Sequence, residues 1–312
     1  MFHHFHDAKH PKGPGSISQE DFENILEFIG KQRILTPSGW IEKLEGNTLS
    51  GEHLCLTFDD ALLCQFDIAL PVLEKYNLKA FWFVYSSVFE GHLGKMEIYR
   101  LFRSKFFSNV DEFYNLFFGK VFDSEFSKKA KEVLHERKIK RQIAFFPFYS
   151  VNDVKFRLIR DRALGKRIYE SVMDKIIQEY GLNICDLSRN LWMSNEHLKY
   201  LTDRGQTIGL HSYSHPMVLA ELSYEEQLEE YEKNYLHLDK ICGSNPVAMS
   251  HPTNSYNDNT IKILKRLGIR CGFRSNMLPK KEDGRINPNE FEVARQDHSN
   301  IKRMLENHKS NI

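Results

Sequence analysis

Two apolar segments of the chain, about 150 residues apart, each stop abruptly at Asp or His, residue types that commonly bind metal ions. Residues 54–60 read L-C-L-T-F-D-D, and residues 207–216 read T-I-G-L-H-S-Y-S-H-P. A short apolar run bounded by turn residues is typical of a strand buried in a parallel sheet. Folds of the α/β class place their catalytic groups where such strands end. The two segments therefore predict one divalent-metal site, assembled from distant parts of the chain.

Length and charge fit a globular enzyme. The chain has 312 residues, and its 43 Lys and Arg almost balance its 42 Asp and Glu, which leaves a net charge of +1. A nearly neutral chain has no overall attraction to nucleic acid or to anionic lipid. Without a long apolar stretch or a basic start followed by an apolar segment, we predict no membrane span and a cytoplasmic protein. Five scattered cysteines without a C-x-x-C pair are predicted to be reduced thiols.

Strand and helix patterns alternate on both sides of a long helical region. Repeated βα units favour a parallel sheet, either open or closed into a barrel. Between about residues 90 and 190 the chain is charged, aromatic-rich and helical in period. We predict a single domain, 1–312, with a helical insertion at about 90–190. The predicted strands are residues 2–6, 54–58, 80–85, 207–210, 246–250 and 271–274.

Asp59 and Asp60 directly follow the first of the two apolar segments. Successive side chains of an extended strand point in opposite directions, so one carboxylate can bind metal while the other transfers protons. An arbitrary pair of Asp residues is more often the polar edge of a turn or a helix cap. The apolar run before this pair favours the functional interpretation.

His211 and His215 form the histidine half of the predicted site. Their spacing alone is weak evidence, because His6 and His10 share it. Their context is stronger: His211 ends a predicted strand, and His215 lies in a loop closed by Pro216. Two histidines and one carboxylate with open coordination positions suit zinc or a similar divalent ion that activates water.

These motifs resemble those of the NodB-like polysaccharide deacetylases, carbohydrate esterase family four. T-F-D-D at 57–60 matches the family's first motif, H-S-Y-S-H at 211–215 matches the second, and S-H-P-T-N-S-Y-N at 250–257 resembles the third. The similarity covers about two-thirds of the chain and leaves the helical insertion unmatched. It implies a distorted (β/α) barrel with the site at the carboxyl ends of the strands.

The resemblance also implies roles for the motif residues. Asp60, His211 and His215 are expected to bind the metal, which we expect to be zinc, with cobalt, nickel, iron or manganese as alternatives. Asp59 is expected to be the general base that takes a proton from the metal-activated water. This division agrees with the chemistry, because a carboxylate outside the coordination shell stays able to accept a proton.

The third motif supplies groups expected beside the substrate. In the family, the backbone N–H after the motif's proline stabilises the oxyanion, which here is Thr253, and we expect Tyr256 to assist there. The family motif begins with an arginine that orients the base, but this chain has Ser250 at that position. Arg295 is our candidate for this role, since a late strand ending there would return to the pocket.

The proton donor for the departing amine also departs from the family pattern. The family uses a histidine of a late L-x-H motif, which this chain lacks. His298 beside Asp297 is our first candidate, because an acidic neighbour orients an imidazole and helps to charge it, and His251 is the second. An equally favoured alternative is that Asp297 and His298 cap a helix that runs from Asn300 onward.

Two further features have more than one interpretation. His3, His4 and His6 alternate on the first predicted strand and are either structural or in reach of the substrate. The basic run at 155–167 is either a solvated helix face or a site for an anion such as a nucleotide-linked sugar. Some aromatic residues of the insertion are expected to form buried helix faces, with a dimer contact or a lid as alternatives: Phe102, Phe106, Phe107, Phe113, Phe117 and Phe118.

The sequence thus predicts a hydrolase of linear amide bonds. We expect a metal-dependent enzyme that removes an N-acyl group, expected to be acetyl, from an amino sugar or glycan precursor. A deformylase or another amidase on the same scaffold, and a carbohydrate-binding protein without turnover, are the alternatives. The expected partner is the N-acylated sugar, with no nucleic acid, and the insertion offers a surface for a homo-oligomer.

Overall fold

The computed structural model describes residues 1–145, 150–279 and 284–310. The chain divides into two compact units, one made of Met1–Leu93 with Asn190–Ile312 and the other of Gly94–Arg189. The sheet lies in the first unit, and the described residues of the second unit are helical or in turns. The second unit has bounds close to those predicted for the helical insertion.

The first unit is built on a parallel sheet whose strands lie side by side in chain order. Every strand pairs in parallel with the next one. The first two strands are buried along their whole length, as expected for parallel strands covered on both faces. The predicted α/β architecture with a parallel sheet is confirmed. The strands are β1 (Leu56–Asp59), β2 (Ala80–Val84), β3 (Thr207–Leu210), β4 (Ala248–Ser250) and β5 (Cys271–Phe273).

Two segments outside the strands continue the hydrogen bonding on either side of the sheet. Phe2 forms a parallel bridge with β1, and Val293 forms one with β5. Backbone hydrogen bonds then join these segments: Met1 N donates to the carbonyl of Gln296 at 3.0 Å, and His298 N donates to the carbonyl of Met1 at 3.1 Å. The backbone contacts thus run from β5 back to β1 and close the barrel. The strand predicted at residues 2–6 is present only as bridges.

Helices connect and flank the strands. Ser18 and Ser223 each begin a helix with a reciprocal capping box. Among the described helices, none combines the length and apolar character that crossing a bilayer requires. In chain order the α-helices of the described residues are α1 (Gln19–Ile29), α2 (Pro37–Glu45), α3 (Leu70–Lys75), α4 (Lys95–Phe106), α5 (Val110–Phe122), α6 (Ser127–Val133), α7 (Glu136–Phe145), α8 (Val151–Leu158), α9 (Gly165–Glu179), α10 (Ile184–Ser188), α11 (Asn195–Asp203), α12 (Tyr224–Cys242), α13 (Asp258–Arg266) and α14 (His298–Ser310).

A capping residue and a π-helical turn divide the helices of the second unit. Asn109 caps the start of α5 and so separates it from α4, although the apolar period continues across the break. A π-helical turn, Ile159–Leu164, separates α8 from α9. Within this unit, Phe102, Phe113 and Phe117 are fully buried, which agrees with their interpretation as core residues.

Strand β3 approaches its neighbours closely at Gly209. A Cβ atom at this position would lie 2.6 Å from the carbonyl oxygen of Ala248 and 2.7 Å from the ring of Phe83. Real Cβ atoms do not make such contacts, so a side chain would push β3 away from β4 and β2 two residues before His211. Glycine here keeps the sheet intact beside the site.

We expect Gly209→Ala to lower the free energy of unfolding by about 1–3 kcal/mol or more, the usual cost of overpacking. Denaturant titration would measure the loss. Gly51→Ala is the matched control, because a Cβ there meets no heavy atom within 4 Å. Equal midpoints for the two variants would contradict the close approach of the strands.

Candidate metal centre

The ends of β1 and β3 bring three potential metal ligands together. Asp60, His211 and His215 each offer one ligand atom, and these atoms lie within 4.8 Å of one another. Oδ1 of Asp60 is 3.3 Å from Nε2 of His211 and 3.5 Å from Nε2 of His215. That oxygen is buried and has no hydrogen-bond partner among the described residues. A divalent cation would satisfy it together with both nitrogens, so this donor set fits zinc or a similar ion.

His211 is oriented for metal binding by its other ring nitrogen. Nδ1 lies 2.8 Å from the carbonyl oxygen of Ser250 in β4, so Nδ1 carries a proton and Nε2 is the nitrogen that faces Asp60. Histidines that bind metals commonly donate their second N–H to a carbonyl or carboxylate, which fixes the tautomer and the ring orientation. The side chain is buried, which further restricts its motion.

Strained backbone marks every loop of the site. Asp60 (φ 79°), Ser212 (φ 63°), His215 (φ 54°) and Thr253 (φ 51°) are non-glycine residues in the left-handed region. Each such conformation costs on the order of 1–3 kcal/mol and persists only where the surroundings fix it. Their presence in all three sequence motifs shows that the loop geometry is held by contacts with the rest of the barrel.

Asp59 lies in a buried, forked ion pair with Arg295. Nη1 and Nη2 of the guanidinium each lie 2.7 Å from one carboxylate oxygen. Nη2 also donates to Oγ of Ser250 at 2.6 Å, and Nη1 donates to Oγ1 of Thr57 at 3.1 Å. Arg295 therefore reaches Asp59, the predicted base, from the segment beyond β5. There it contacts Ser250, the residue found where the family's third motif has an arginine.

Both carboxylates of the first motif are ionised. Burial raises the pKa of Asp59, but Arg295 and His211 lower it by more, so it lies below its ordinary value. For Asp60, burial is likewise outweighed by His211 and His215, and the pKa is again lowered. One carboxylate can thus bind a cation while the other accepts a proton.

His3 is also at the site, although its sequence context left its role open. Its Nε2 lies 3.8 Å from Oδ2 of Asp59 and 4.0 Å from Oδ2 of Asp60. Buried Gln65 donates from Nε2 to the carbonyls of both His3 and Asp59, at 2.8 Å and 2.5 Å, and so ties the N-terminal segment to the first motif. Burial lowers the pKa of His3 to about 4. The alternating histidines signalled His3, whereas no sequence pattern signalled Gln65.

His298, predicted as the proton donor, contacts the barrel closure instead. Its Nε2 lies 2.8 Å from the carbonyl of Gly15, and its Nδ1 lies 3.3 Å from the carbonyl of Met1. Asp297 accepts a hydrogen bond from Ser299 N at 2.8 Å at the start of α14, as the capping alternative predicts. These contacts favour the capping alternative, because both ring nitrogens of His298 face backbone carbonyls and not the candidate metal ligands.

The remaining residues of the third motif are tied to the protein. Buried His251 places Nε2 2.8 Å from the carbonyl of Phe291, and burial lowers its pKa to about 4. The ring of Tyr256 stacks on the imidazole of His251, and its hydroxyl donates to Glu292 at 2.8 Å. Tyr256, predicted to contact the oxyanion or the substrate, therefore uses its donor inside the protein.

Thr253, the predicted oxyanion residue, lies in the turn Pro252–Asn254 that follows β4. Its Oγ1 donates to the carbonyl of Met217 at 2.8 Å, which ties this turn to the loop after the second motif. The side chain is exposed. The role of its backbone N–H stays a prediction.

The chain matches the family model described as polysaccharide deacetylase over residues 119–272. This region contains the second and third motifs, while T-F-D-D lies before it. No curated protein matches the chain.

Several solved structures share the fold. A Streptococcus pyogenes deacetylase, PplD, solved in complex with acetate, is 16% identical with a TM-score of 0.54, covering 98% of this chain and 96% of that one. IcaB from Ammonifex degensii is 15% identical with a TM-score of 0.52, covering 98% and 94%. A de-N-acetylase from Aggregatibacter actinomycetemcomitans is 13% identical with a TM-score of 0.53, covering 95% and 92%. At these identities the likeness is one of fold.

The parallel sheet with the candidate site at its carboxyl edge has the NodB-like (β/α) fold predicted from the sequence. The predicted enzyme class, a hydrolase, is confirmed as well. The resemblance to the polysaccharide deacetylases that the motifs indicated is confirmed, and the enzymes of that family are hydrolases that act on the amide bonds of N-acetyl sugars.

We expect Arg295→Met to lower the free energy of unfolding by about 3–5 kcal/mol at neutral pH, because it leaves the buried Asp59 charge uncompensated. The lowered pKa of Asp59 adds a pH dependence. The contribution of the pair is present above the unfolded-state pKa of about 3.9 and is lost as the pH falls through the lower folded-state value. The difference in unfolding free energy between Arg295→Met and wild type should therefore become smaller in acid. Denaturant titrations at several pH values would measure it.

Arg270→Met is the matched control for this prediction. Arg270 also forms a forked pair, with Glu45, but both side chains are more than 40% exposed. Such a pair contributes less than about 1 kcal/mol. A similarly small loss in both variants would show that the Asp59 pair does not depend on burial as we describe.

Proposed function

We propose that the chain removes an N-acetyl group from an amino sugar of a glycan or glycan precursor, with a divalent ion held by Asp60, His211 and His215. The observation that carries this proposal is the buried, unpartnered Oδ1 of Asp60 facing two histidine nitrogens. Beside it stands a second carboxylate, Asp59, which Arg295 holds in place. Two structural relatives, a deacetylase solved with acetate and a de-N-acetylase, support acetyl as the acyl group.

The residues divide the chemistry between them. A divalent ion bound at the three ligands would lower the pKa of a coordinated water and polarise the acyl carbonyl. Asp59 is ionised and accepts the proton of the attacking water, and its forked pair with Arg295 keeps it in one orientation. The fixed geometry of base and ligands reduces the reorganisation needed during the reaction.

We assign protonation of the departing amine to His3. When the C–N bond breaks, the amine nitrogen must gain a proton, and a positioned imidazole is the commonest donor. The Nε2 of His3 lies within 4.0 Å of both carboxylates, whereas Nε2 of His298 and Nε2 of His251 each face a backbone carbonyl. Burial keeps His3 neutral at neutral pH, so the proton it delivers to the amine is the one that Asp59 has taken from the attacking water.

The location and the exact substrate stay predictions. A cytoplasmic enzyme would act on a glycan precursor and not on mature wall polymer. Acyl release from free, nucleotide-linked and polymeric N-acetylated sugars separates these substrates, and N-formyl analogues test the deformylase alternative. Release from none of them would favour the carbohydrate-binding protein without turnover.

We expect Asp60→Ala to lose both bound metal and acetate release. Asp59→Asn should keep the metal and lose roughly 10²–10⁴-fold in turnover, because it removes only the base. Metal content by atomic emission and acetate release would be measured on the same preparations. Asp67→Asn is the control, since Asp67 pairs with His10 outside the ligand set. Full activity of chelator-treated, metal-free protein would overturn the proposal.

We expect His3→Gln to lower turnover of an N-acetyl sugar about 10²-fold or more, with metal content unchanged. An activated ester such as nitrophenyl acetate has a leaving group that needs no proton, so the variant should hydrolyse it at a rate close to that of wild type. His4→Gln is the neighbouring control, and we expect His298→Gln to keep its turnover. Equal losses on the amide and the ester would contradict the role of proton donor.

A further inference from the structure

The loop between His211 and His215 is strained and yet carries two of the metal ligands. Ser212 and His215 both have positive φ, at 63° and 54°. Inside the loop, His215 N donates to Oγ of Ser212 at 3.1 Å. One such bond does not fix five residues, and a strained conformation persists only where neighbouring structure determines it.

Glu230, on α12, accepts three hydrogen bonds from the middle of this loop. Its Oε2 accepts from Tyr213 N at 3.0 Å and from Ser214 N at 2.8 Å. Its Oε1 accepts from the hydroxyl of Ser214 at 2.6 Å. Hydrogen bonds to an ionised acceptor are stronger than those between neutral groups. The carboxylate thus binds the two residues that separate the strained positions.

Asn234, one helical turn after Glu230, holds the start of the loop. Its Oδ1 accepts from His211 N at 3.0 Å. Its Nδ2 donates to the carbonyl of Val84 at 2.9 Å and to Oγ of Ser86 at 3.1 Å. Asn234 is fully buried, and a buried amide left without its partners would cost about 1–3 kcal/mol. It therefore ties the first ligand to the end of β2.

The helix that presents these two side chains is itself well fixed. Ser223 caps its start, and Gly243, in the left-handed conformation, ends it. Tyr231 and Leu238 of the same helix are fully buried in the core. Residues four apart lie on one face of a helix, so α12 offers Glu230 and Asn234 to the loop from a rigid support.

We propose that Glu230 and Asn234 are positioning residues that hold the His211–His215 loop in its ligand geometry before the ion binds. This inference rests on the proposed function, because it concerns the same metal site. Preorganisation raises affinity by removing the cost of ordering the loop on binding. Neither side chain is among the proposed metal ligands. Replacing one should therefore weaken metal binding while the same three ligands still bind the ion.

Glu230→Ala and Glu230→Gln separate this role from simple attraction between a carboxylate and a cation. In Glu230→Gln the amide oxygen can still accept from both N–H groups, and the hydroxyl of Ser214 can accept from the amide NH₂. The Gln variant thus keeps the loop contacts and loses the charge. Glu229→Ala on the same helix is the control, since Glu229 is exposed and pairs with Lys233.

The experiment is calorimetric titration of metal-free protein with Zn²⁺ and Co²⁺, followed by the visible spectrum of the Co²⁺ form. We expect Glu230→Ala to bind roughly tenfold to hundredfold more weakly, the loss typical for groups that support metal ligands. Glu230→Gln should bind within a few-fold of wild type, and Glu229→Ala should bind like wild type. Melting curves of the metal-free variants would confirm that each is folded before titration.

Two results would overturn the inference while leaving the proposed function intact. Wild-type affinity in Glu230→Ala would show that the loop needs no support from α12. Equal losses in Glu230→Ala and Glu230→Gln would show that the charge, and not the hydrogen bonds, carries the effect. If wild-type protein bound neither ion, the metal site itself would be wrong, and the proposed function would fail with it.

Discussion

The buried ion pair between Asp59 and Arg295 links the architecture of the barrel to its chemistry. Asp59 ends β1, and Arg295 lies on the segment that continues the sheet beyond β5. The forked hydrogen bonds join the first and last parts of the barrel at the point where the backbone contacts close it. They also favour the charged form of Asp59 and fix its orientation. A change in either partner therefore affects both the closure and the site.

The sequence predicted much of this arrangement because the signals were local. Apolar runs that end in polar residues predicted the strands and the three residues of the candidate metal site. The serine at position 250, where the family has an arginine, pointed to Arg295 as the cation beside Asp59. Contacts between distant residues left no such pattern, so Gln65 and Glu230 could not be found. The sequence left two roles open for His298, because an Asp–His pair has the same spacing whether it caps a helix or transfers a proton, and the structure shows the capping contact of Asp297. The helix bounds in the insertion could not be predicted, because a capping residue interrupts a helix without interrupting its apolar period.

Support for the site comes from elements that contribute no ligand. Ser250 of β4 fixes His211 through its carbonyl and contacts Asp59 through its hydroxyl. Gln65 joins the N-terminal segment to the first motif by donating to the carbonyls of His3 and Asp59. The strained φ values of the motif loops are thus sustained by hydrogen bonds from neighbouring elements. The ligand atoms converge because the barrel around them leaves their backbone little freedom.

The closure of the barrel has a consequence for the order in which the molecule assembles. Met1 bonds to Gln296, almost the full length of the chain away, and His3 follows directly on that N-terminal segment. Contacts across such a separation carry the largest entropy cost of loop closure, so they form late in folding. Asp60 is also distant in sequence from His211 and His215, so the candidate metal site is complete only when the ends of β1 and β3 have come together. A partly folded chain, such as one still emerging from the ribosome, therefore lacks the complete candidate site.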